Sequence, residues 1–435
     1  MIRAWLKRYR LVLVLVLIGL VLLTFLGVRQ SQKKTTLWLG TYAGSSWDVP
    51  SGQEYQFLDR VIRRFEKAHP NVEVRYESGI TKEDYSGWLS SKIVAGQQPD
   101  VFIVPENDFN LLASTGALAN LDGNVKRDIQ VSDFYQTPYL SGEYEKTQYA
   151  LPFESNPVMM CINIDLLKKE GIDLPKSSWT LTDFYEICQK VTKDTNQDGV
   201  IDQYGCFGYD WEDAIAAYGI SLFNASGTES YFNTPEVRKA LSLITKLEAL
   251  NDNYQVTLED FDEGRVAFYP MTLAQYRTYK PYPYHVSKYS SFSWSCVAMP
   301  SQEAGISHTQ TKSSLYAISS KSAHADLAWE FLKLLTYDKE SQQELFKMSQ
   351  GVSVLTSVMK SKESREILQN DNFGATALSL STLDGMMKES ILEPKFKSYN
   401  TISEKAAYLI SQSLEQNTID NDLADIQKEI EDNLK

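Results

Sequence analysis

The chain alternates between short apolar runs with a period of two and longer stripes with a period near 3.6. Residues 36–42 read as a strand, and Leu58, Val61, Ile62 and Phe65 then fall at helical spacing until His69-Pro70 stops the stripe. Val72, Val74 and Tyr76 alternate as a strand does. Tyr85, Trp88, Leu89 and Ile93 give a second helical stripe, and Pro99 leads into an apolar strand at 100–104. Strand, helix, strand, helix, strand predicts a parallel sheet covered by helices. The pattern restarts near residue 150 with strand-like stretches at 148–153 and 158–165. A helix follows, opened by Thr180 as N-cap with Asp183 three residues later. Ala325, Ala328, Leu332 and Leu335 form a late helical stripe, and Leu423, Ile426 and Ile430 a final one.

Length adds that 435 residues exceed what one hydrophobic core usually organises, so two or more folded units are expected. With 43% hydrophobic and 23% charged residues, the bulk of the chain has an ordinary globular composition. The N-terminus departs from it. Arg3, Lys7, Arg8 and Arg10 precede residues 11–28, which carry no charge and would span about 27 Å as a helix, close to the roughly 30 Å of a bilayer core. The basic flank predicts a cytoplasmic N-terminus. No small-residue cleavage pattern follows, and Val28 stands where a lipoprotein would need cysteine. An uncleaved anchor is therefore favoured over a removed signal.

Seven of the 43 basic residues lie in the first 34 positions, whereas all 56 acidic residues come later. The remainder is thus more acidic than the formal net charge of −13 suggests, which argues against nucleic acid as a partner. Cys161, Cys188, Cys206 and Cys296 are too few for a disulfide scaffold. They sit in apolar patterns and read as buried thiols, with a Cys188–Cys206 bridge as the alternative.

Several stretches resemble, in order, the family 1 extracellular solute-binding proteins, the group of maltose-binding protein and many Gram-positive sugar receptors. They are "RRFEKAHPNVEVRY", "GQQPDVFIV", "YALPFESNPVMMCINIDLLKKEGI", "SWTLTDFYEICQKVTKDTNQDGVIDQYG", "FDEGRVAFY" and "AISSKSAHADLAWEFLKLLT". The resemblance implies a two-lobe, periplasmic-binding-protein-like α/β fold with a multi-crossing hinge, preceded here by the N-terminal transmembrane helix. Residues 1–34 would be anchor and linker, 35–149 plus 271–338 lobe 1, and 150–270 plus 339–435 lobe 2, with crossings near 150, 270 and 340. It further implies a monomeric, non-catalytic receptor on the extracellular face of the cell membrane, delivering an oligosaccharide to the permease of an ABC importer.

A sugar presents apolar faces rimmed by hydroxyls, so its receptor needs aromatic platforms beside planar polar side chains. Ligands of parallel sheets gather at the carboxyl ends of strands. Tyr42, Ser46, Trp47 and Asp48 follow the first strand, and Glu106, Asn107 and Asp108 follow the strand at 100–104. For the second lobe the resemblance points, by position, to Glu154, Asn156, Tyr209, Asp210, Trp211, Gln275, Tyr276 and Tyr399. After "GRVAFY" many family members carry Gly-x-Trp. This chain has Pro270-Met271-Thr272, which leaves Tyr276 as the nearest stacking ring.

Asp194, Asn196, Asp198, Val200 and Asp202 match the first nine positions of an EF-hand loop, with Gly199 at the sharp turn. Position 12 is Gly205 rather than glutamate. The loop is similar to the calcium loop of some oligosaccharide-binding members of the family, in which the residue matching Gln203 also contributes, and a structural Ca2+ is expected. Two other functions share these features: a membrane-anchored sugar sensor, and a hydrolase using two of the carboxylates. His69, His285, His308 and His324 show no metal-ligand spacing, and neither a G-x-S-x-G nor a phosphate loop is present.

Overall fold

The computed structural model describes residues 34–49, 55–176, 178–252, 254–278, 292–306, 308–370 and 378–434. The expected membrane helix lies outside them. Among the described residues no helix is long and apolar enough to cross a membrane.

β1 (Thr35–Gly40), β2 (Val72–Tyr76) and β3 (Val101–Val104) are parallel, with β1 in the middle. The helices Gln56–Ala68 and Lys82–Val94 connect them, as the sequence pattern predicts. Leu37 and Leu39 of β1 turn into the core while Trp38 between them is exposed, which is the period-two signal made physical. β4 (Glu143–Tyr144) and β5 (Thr147–Gln148) form a separate hairpin.

β6 (Ala150–Asn163) is one strand of 14 residues where the sequence pattern predicts two. Its first half pairs antiparallel with β10 (Thr309–Ile318). Its second half pairs with β8 (Val266–Thr272), which β7 (Tyr204–Cys206) flanks in parallel, and with β9 (Trp294–Val297). β11 (Val352–Ser353) lies against Ser155 and Glu154 at the midpoint of β6, and β12 (Ser390–Ile391) pairs with the start of β10.

Two large apolar cores lie on either side of this midpoint. One gathers β1–β3, the first half of β6, the end of β10 and the helix Ala325–Thr336. The other gathers the second half of β6 with the helices Leu181–Val191, Pro235–Leu250, Tyr399–Glu415 and Ile419–Leu434. The Thr180–Asp183 capping box opens the first of these helices as expected.

The chain therefore passes between the units within β6, within β10 and beside β11. The first passage lies within residues 150–163. The second does not lie near 270, because Val266, Ala267 and Phe268 are fully buried and β8 pairs with the far half of β6. Residues 294–297 consequently pair with the far half of β6, and Leu273 and Tyr276 share a third apolar cluster with Trp294, Cys296 and Phe346 where the units join. The helix Lys339–Met348 in turn stays with the first unit, where Arg64 holds Asp338 at its N-terminus at 2.9 Å and Arg60 reaches Glu344 at 2.5 Å. The third passage thus lies near 352 rather than 340.

Candidate functional site

β1 and β3 run parallel as neighbours, Leu39 opposite Val101 and Gly40 opposite Phe102, so both open their carboxyl ends on the same edge. β10 runs antiparallel to β3 with Leu315 opposite Val104, which carries residues 311–314 past that edge. The loops after β1 and β3 and the crossing part of β10 therefore meet by topology alone. Gly40 lets them close up. A Cβ there would lie 2.8 Å from the Phe102 Cβ and 2.9 Å from the Tyr85 hydroxyl. Tyr85 instead reaches the Ile103 carbonyl and meets the edge of Tyr42, ring centroids 5.2 Å apart.

The opposite wall comes from the second unit. β12 pairs with Thr309 and Gln310, and the chain beyond it brings Glu393 and Lys395 and then the helix Tyr399–Glu415 over the first unit. A cavity of about 360 Å³ lies between the walls, with Tyr42, Ser46, Trp47, Glu106, Asn107 and Asp108 on one side. Glu393 and Lys395 face them, and Lys82, Tyr85, Phe109 and Lys312 fill the gaps. An adjoining cavity of about 250 Å³ shares Glu106, Asn107 and Lys395 and extends to Glu212, Tyr399 and Asn400. The units touch at this mouth. The Asn400 amide donates to the Asn107 carbonyl, and the Lys395 ammonium lies 5.5 Å from the centre of the Phe109 ring.

Charges in the cleft are mutually engaged. Lys312 pairs with Glu106 at 2.5 Å. Desolvation opposes its charge, but Glu106, Glu393 and Glu212 outweigh that and hold its pKa above the usual lysine range. Lys395 is the reverse case, because desolvation pushes its pKa down and Glu393 offsets this only in part. Asp108 accepts a hydrogen bond from Ser86 at 2.5 Å. Lys82 donates to the Ser46 carbonyl at 3.0 Å and to Asp48 at 2.7 Å, pinning the loop that carries Trp47.

Seven of the residues expected from the sequence thus reach the cavities: Tyr42, Ser46, Trp47, Glu106, Asn107, Asp108 and Tyr399. The others do not line them. Asp48 is exposed and serves Lys82. Asn156 is buried, and its side-chain oxygen accepts from the Ala274 N–H at 2.9 Å. Tyr209 packs on Phe184 in the second core, Asp210 caps the helix Trp211–Ala217, and Trp211 lies against the same core. Gln275 caps its own helix through the Thr272 N–H. Tyr276 cannot stack on a ligand as placed, because it is 1% exposed and meets the edge of Trp294 at 5.6 Å.

Glu154 is 3% exposed and lies behind the cleft wall rather than in it. Burial raises its pKa, while the side chains of Ser46, Ser349 and Trp47 and the Gly351 N–H partly counter the shift. A Cβ on Gly351 would sit 2.7 Å from the Glu154 Oε2 and 2.9 Å from the Trp47 Nε1, so glycine is what lets these groups converge. The folded chain holds the Glu154 proton more tightly than the unfolded chain. Stability therefore falls as pH rises from the ordinary glutamate value through the raised folded one. Glu154→Gln should remove this component. In melting curves from pH 4.5 to 8, the advantage of the wild type over the variant should shrink as pH rises, and parallel curves would refute the assignment.

Lys82, Lys312, Glu393, Lys395 and Phe109 were not anticipated. Lys312 had the clearest signal, since it precedes the "AISSKSAHADLAWEFLKLLT" stretch in a strand that must reach the first sheet. Glu393 and Lys395 carry no local pattern.

The loop at 194–202 is curled by its own side chains. Asp194 accepts from the N–H groups of Gln197 at 2.6 Å and Gly199 at 2.7 Å, and Gly199 takes the positive φ of 90° that the turn requires. Asn196 and Asp198 accept from the N–H groups two residues ahead. This curl suits the first positions of a calcium loop. Asp202 instead spends both oxygens on Thr195, and Gln203 is buried with its amide on Lys169, Glu170 and the Val191 carbonyl. Among the described residues, no three acidic, histidine or cysteine side chains converge closely enough to hold a metal ion.

Residues 60–371 match the family model of the bacterial extracellular solute-binding proteins. The chain belongs to that family. Over 187 residues it is 27% identical to the maltotriose-binding protein of Pyrococcus abyssi, a stretch covering 43% of this chain and 37% of that relative, little more than a third of its length. Its fold is that of a cyclic α-maltosyl-1,6-maltose binding protein from Arthrobacter globiformis, with a TM-score of 0.75 at 18% identity, covering 92% of this chain and 99% of that one. An ABC substrate-binding protein from Listeria monocytogenes in complex with cycloalternan is similar over 92% of this chain and 98% of its own, with a TM-score of 0.67 at 21% identity. At these identities the likeness to the solved structures is one of fold, and it matches the two-unit α/β architecture implied by the sequence.

Proposed function

We propose that this solute-binding protein captures an oligosaccharide between its two units and delivers it to the permease of an ABC importer, while residues 11–28 hold it on the extracellular face of the membrane. The cavity at the strand ends carries the reading. Tyr42 and Trp47 offer flat apolar surface, while Glu106, Asn107, Lys312 and Lys395 offer the mixed donors and acceptors that a ring of hydroxyls needs. The relatives that bind maltotriose, cycloalternan and cyclic α-maltosyl-1,6-maltose point the same way. Three passages of chain between the units suit closure over a ligand. Glu106 and Asp108 are tied to Lys312 and Ser86, which favours holding a sugar over cleaving it.

The test is calorimetric titration of the full chain with a panel of linear and cyclic glucans and other oligosaccharides. Saturable one-to-one binding without new reducing ends is expected. Failure to bind any member would sink the sugar reading, and new reducing ends would replace it with hydrolysis. A deletion strain that still imports the sugar but loses its induction would make the protein a sensor instead.

A structural Ca2+ in the loop at 194–202 belongs to the same proposal. Asp194, Asn196, Asp198, the Val200 carbonyl and Asp202 would supply oxygens, and the ion would draw together carboxylates that otherwise repel. Chelation should lower the melting temperature and readded calcium should restore it. An unchanged melt retracts the ion.

A further inference from the structure

The four cysteines stand as two facing pairs. Cys161 in β6 and Cys296 in β9 are directly opposite one another in antiparallel register, and both are buried. Opposed residues in such a ladder share a face, and their Cα atoms lie about 4.5 or 5.5 Å apart according to the kind of pair. Both spacings fall within the roughly 4.4–6.8 Å that a disulfide spans. The two thiols are within hydrogen-bonding reach of each other.

The second pair joins a helix to a strand. Cys188 lies on the buried face of the helix Leu181–Val191, and Cys206 ends β7 with its thiol in hydrogen-bonding reach of Cys188. Gly205 makes this approach possible. A Cβ there would stand 2.5 Å from the Cys188 Cβ and 2.6 Å from its Cα, so only glycine lets the helix settle this closely on the strand. Scattered cysteines that served only as small apolar residues would have no reason to meet two by two with none left over.

We propose that both pairs are disulfides in the mature protein, Cys161–Cys296 and Cys188–Cys206. The inference rests on the extracellular placement of the family, since such bonds persist in oxidising compartments. Each bridge forms by exchange with an extracytoplasmic oxidoreductase carrying a disulfide. One cysteine thiolate attacks an oxidoreductase sulfur to give a mixed disulfide and release that enzyme's other thiolate. The second cysteine then attacks the mixed disulfide at the sulfur of the first, closing the bridge and freeing the reduced dithiol. Two electrons and the two thiol protons pass from each pair to the oxidoreductase, which leaves as its dithiol. Burial pushes the Cys161 and Cys188 thiols up, so exchange belongs to the folding chain and is slow once the cores have closed.

Neither bridge spans the passages between units. Cys161–Cys296 fastens β9 to the half of β6 that lies in the second unit, and Cys188–Cys206 closes the segment containing the loop at 194–202. The second unit would thus be braced internally while closure over ligand stays free.

Cells carrying the full chain are lysed directly into denaturant containing N-ethylmaleimide, so that every free thiol is trapped, and the protein is weighed with and without subsequent reduction. No adduct without reductant and four adducts after reduction and a second treatment are expected, together with unreduced peptides joined as 161–296 and 188–206. Four adducts without reductant overturn both bridges, two adducts overturn the bridge whose cysteines carry them, and any other pairing overturns the assignment. Protease added to intact cells in parallel fixes the location. Reduced thiols on a digestible chain count against the bridges, and a chain protected inside the cell overturns the placement and the bridges with it.

Discussion

Arg277→Met should lower the unfolding free energy by about 3 kcal/mol or more, because it strands several buried carbonyls at once. Arg277 is 7% exposed, and its Nη1 donates to the carbonyls of Phe346 at 3.0 Å, Ser349 at 2.9 Å and Gly351 at 2.9 Å. Its guanidinium also lies 4.4 Å from the centre of the Phe346 ring. Methionine would keep much of the apolar stem but none of the donors, and each buried carbonyl left without a partner costs about 1–3 kcal/mol. Denaturant titration should show the loss as a lower midpoint. A change below about 1 kcal/mol would mean that water rescues the carbonyls. The same segment carries Gly351 against Glu154 and Trp47, so ligand affinity should fall with stability in this variant.

Trp47→Ala should weaken oligosaccharide binding by about 1–3 kcal/mol, or roughly fivefold and upward in Kd, without a comparable loss of fold. The indole is only 8% exposed, yet it lines the cleft, and its loop is pinned from the surface by Lys82. Trp211→Ala provides the contrast. That ring packs on the second core and lines neither cavity, so its loss should reduce stability and leave affinity nearly unchanged. Isothermal titration of both variants against the best sugar of the panel separates the roles, and equal losses of affinity would contradict the placement of the cleft.

The two tryptophans show how far local pattern reaches. Trp47 was legible because it follows a strand whose parallel neighbour ends on the same edge, and the same logic found Tyr42, Ser46 and Glu106 to Asp108. Trp211 and Tyr276 were placed by analogy of position, and packing overruled the analogy. Helix caps hold Asp210 and Gln275 in local hydrogen bonds, and Tyr276 faces a neighbour reached only through the fold. Lys395 left no trace in its surroundings. Its effect comes from crossing to Phe109, nearly three hundred positions away.

By itself the sequence determined the alternation of strands and helices, the parallel sheet of the first unit, the Thr180 cap, the curl at Asp194 to Gly199 and the family. Each is written in neighbouring residues, through periodicity, capping or ordered motifs. Tertiary structure alone decided that residues 150–163 are one strand, that the polar run Glu154-Ser155-Asn156 is buried where the units join, and that the second passage lies in β10. It also decided which cysteines face each other. Two prolines and three polar residues read as a break when only local preference is weighed. Only partners brought from positions 274, 313 and 351 make burial of that run tolerable, and chain pairing over such separations leaves no periodic signal to read.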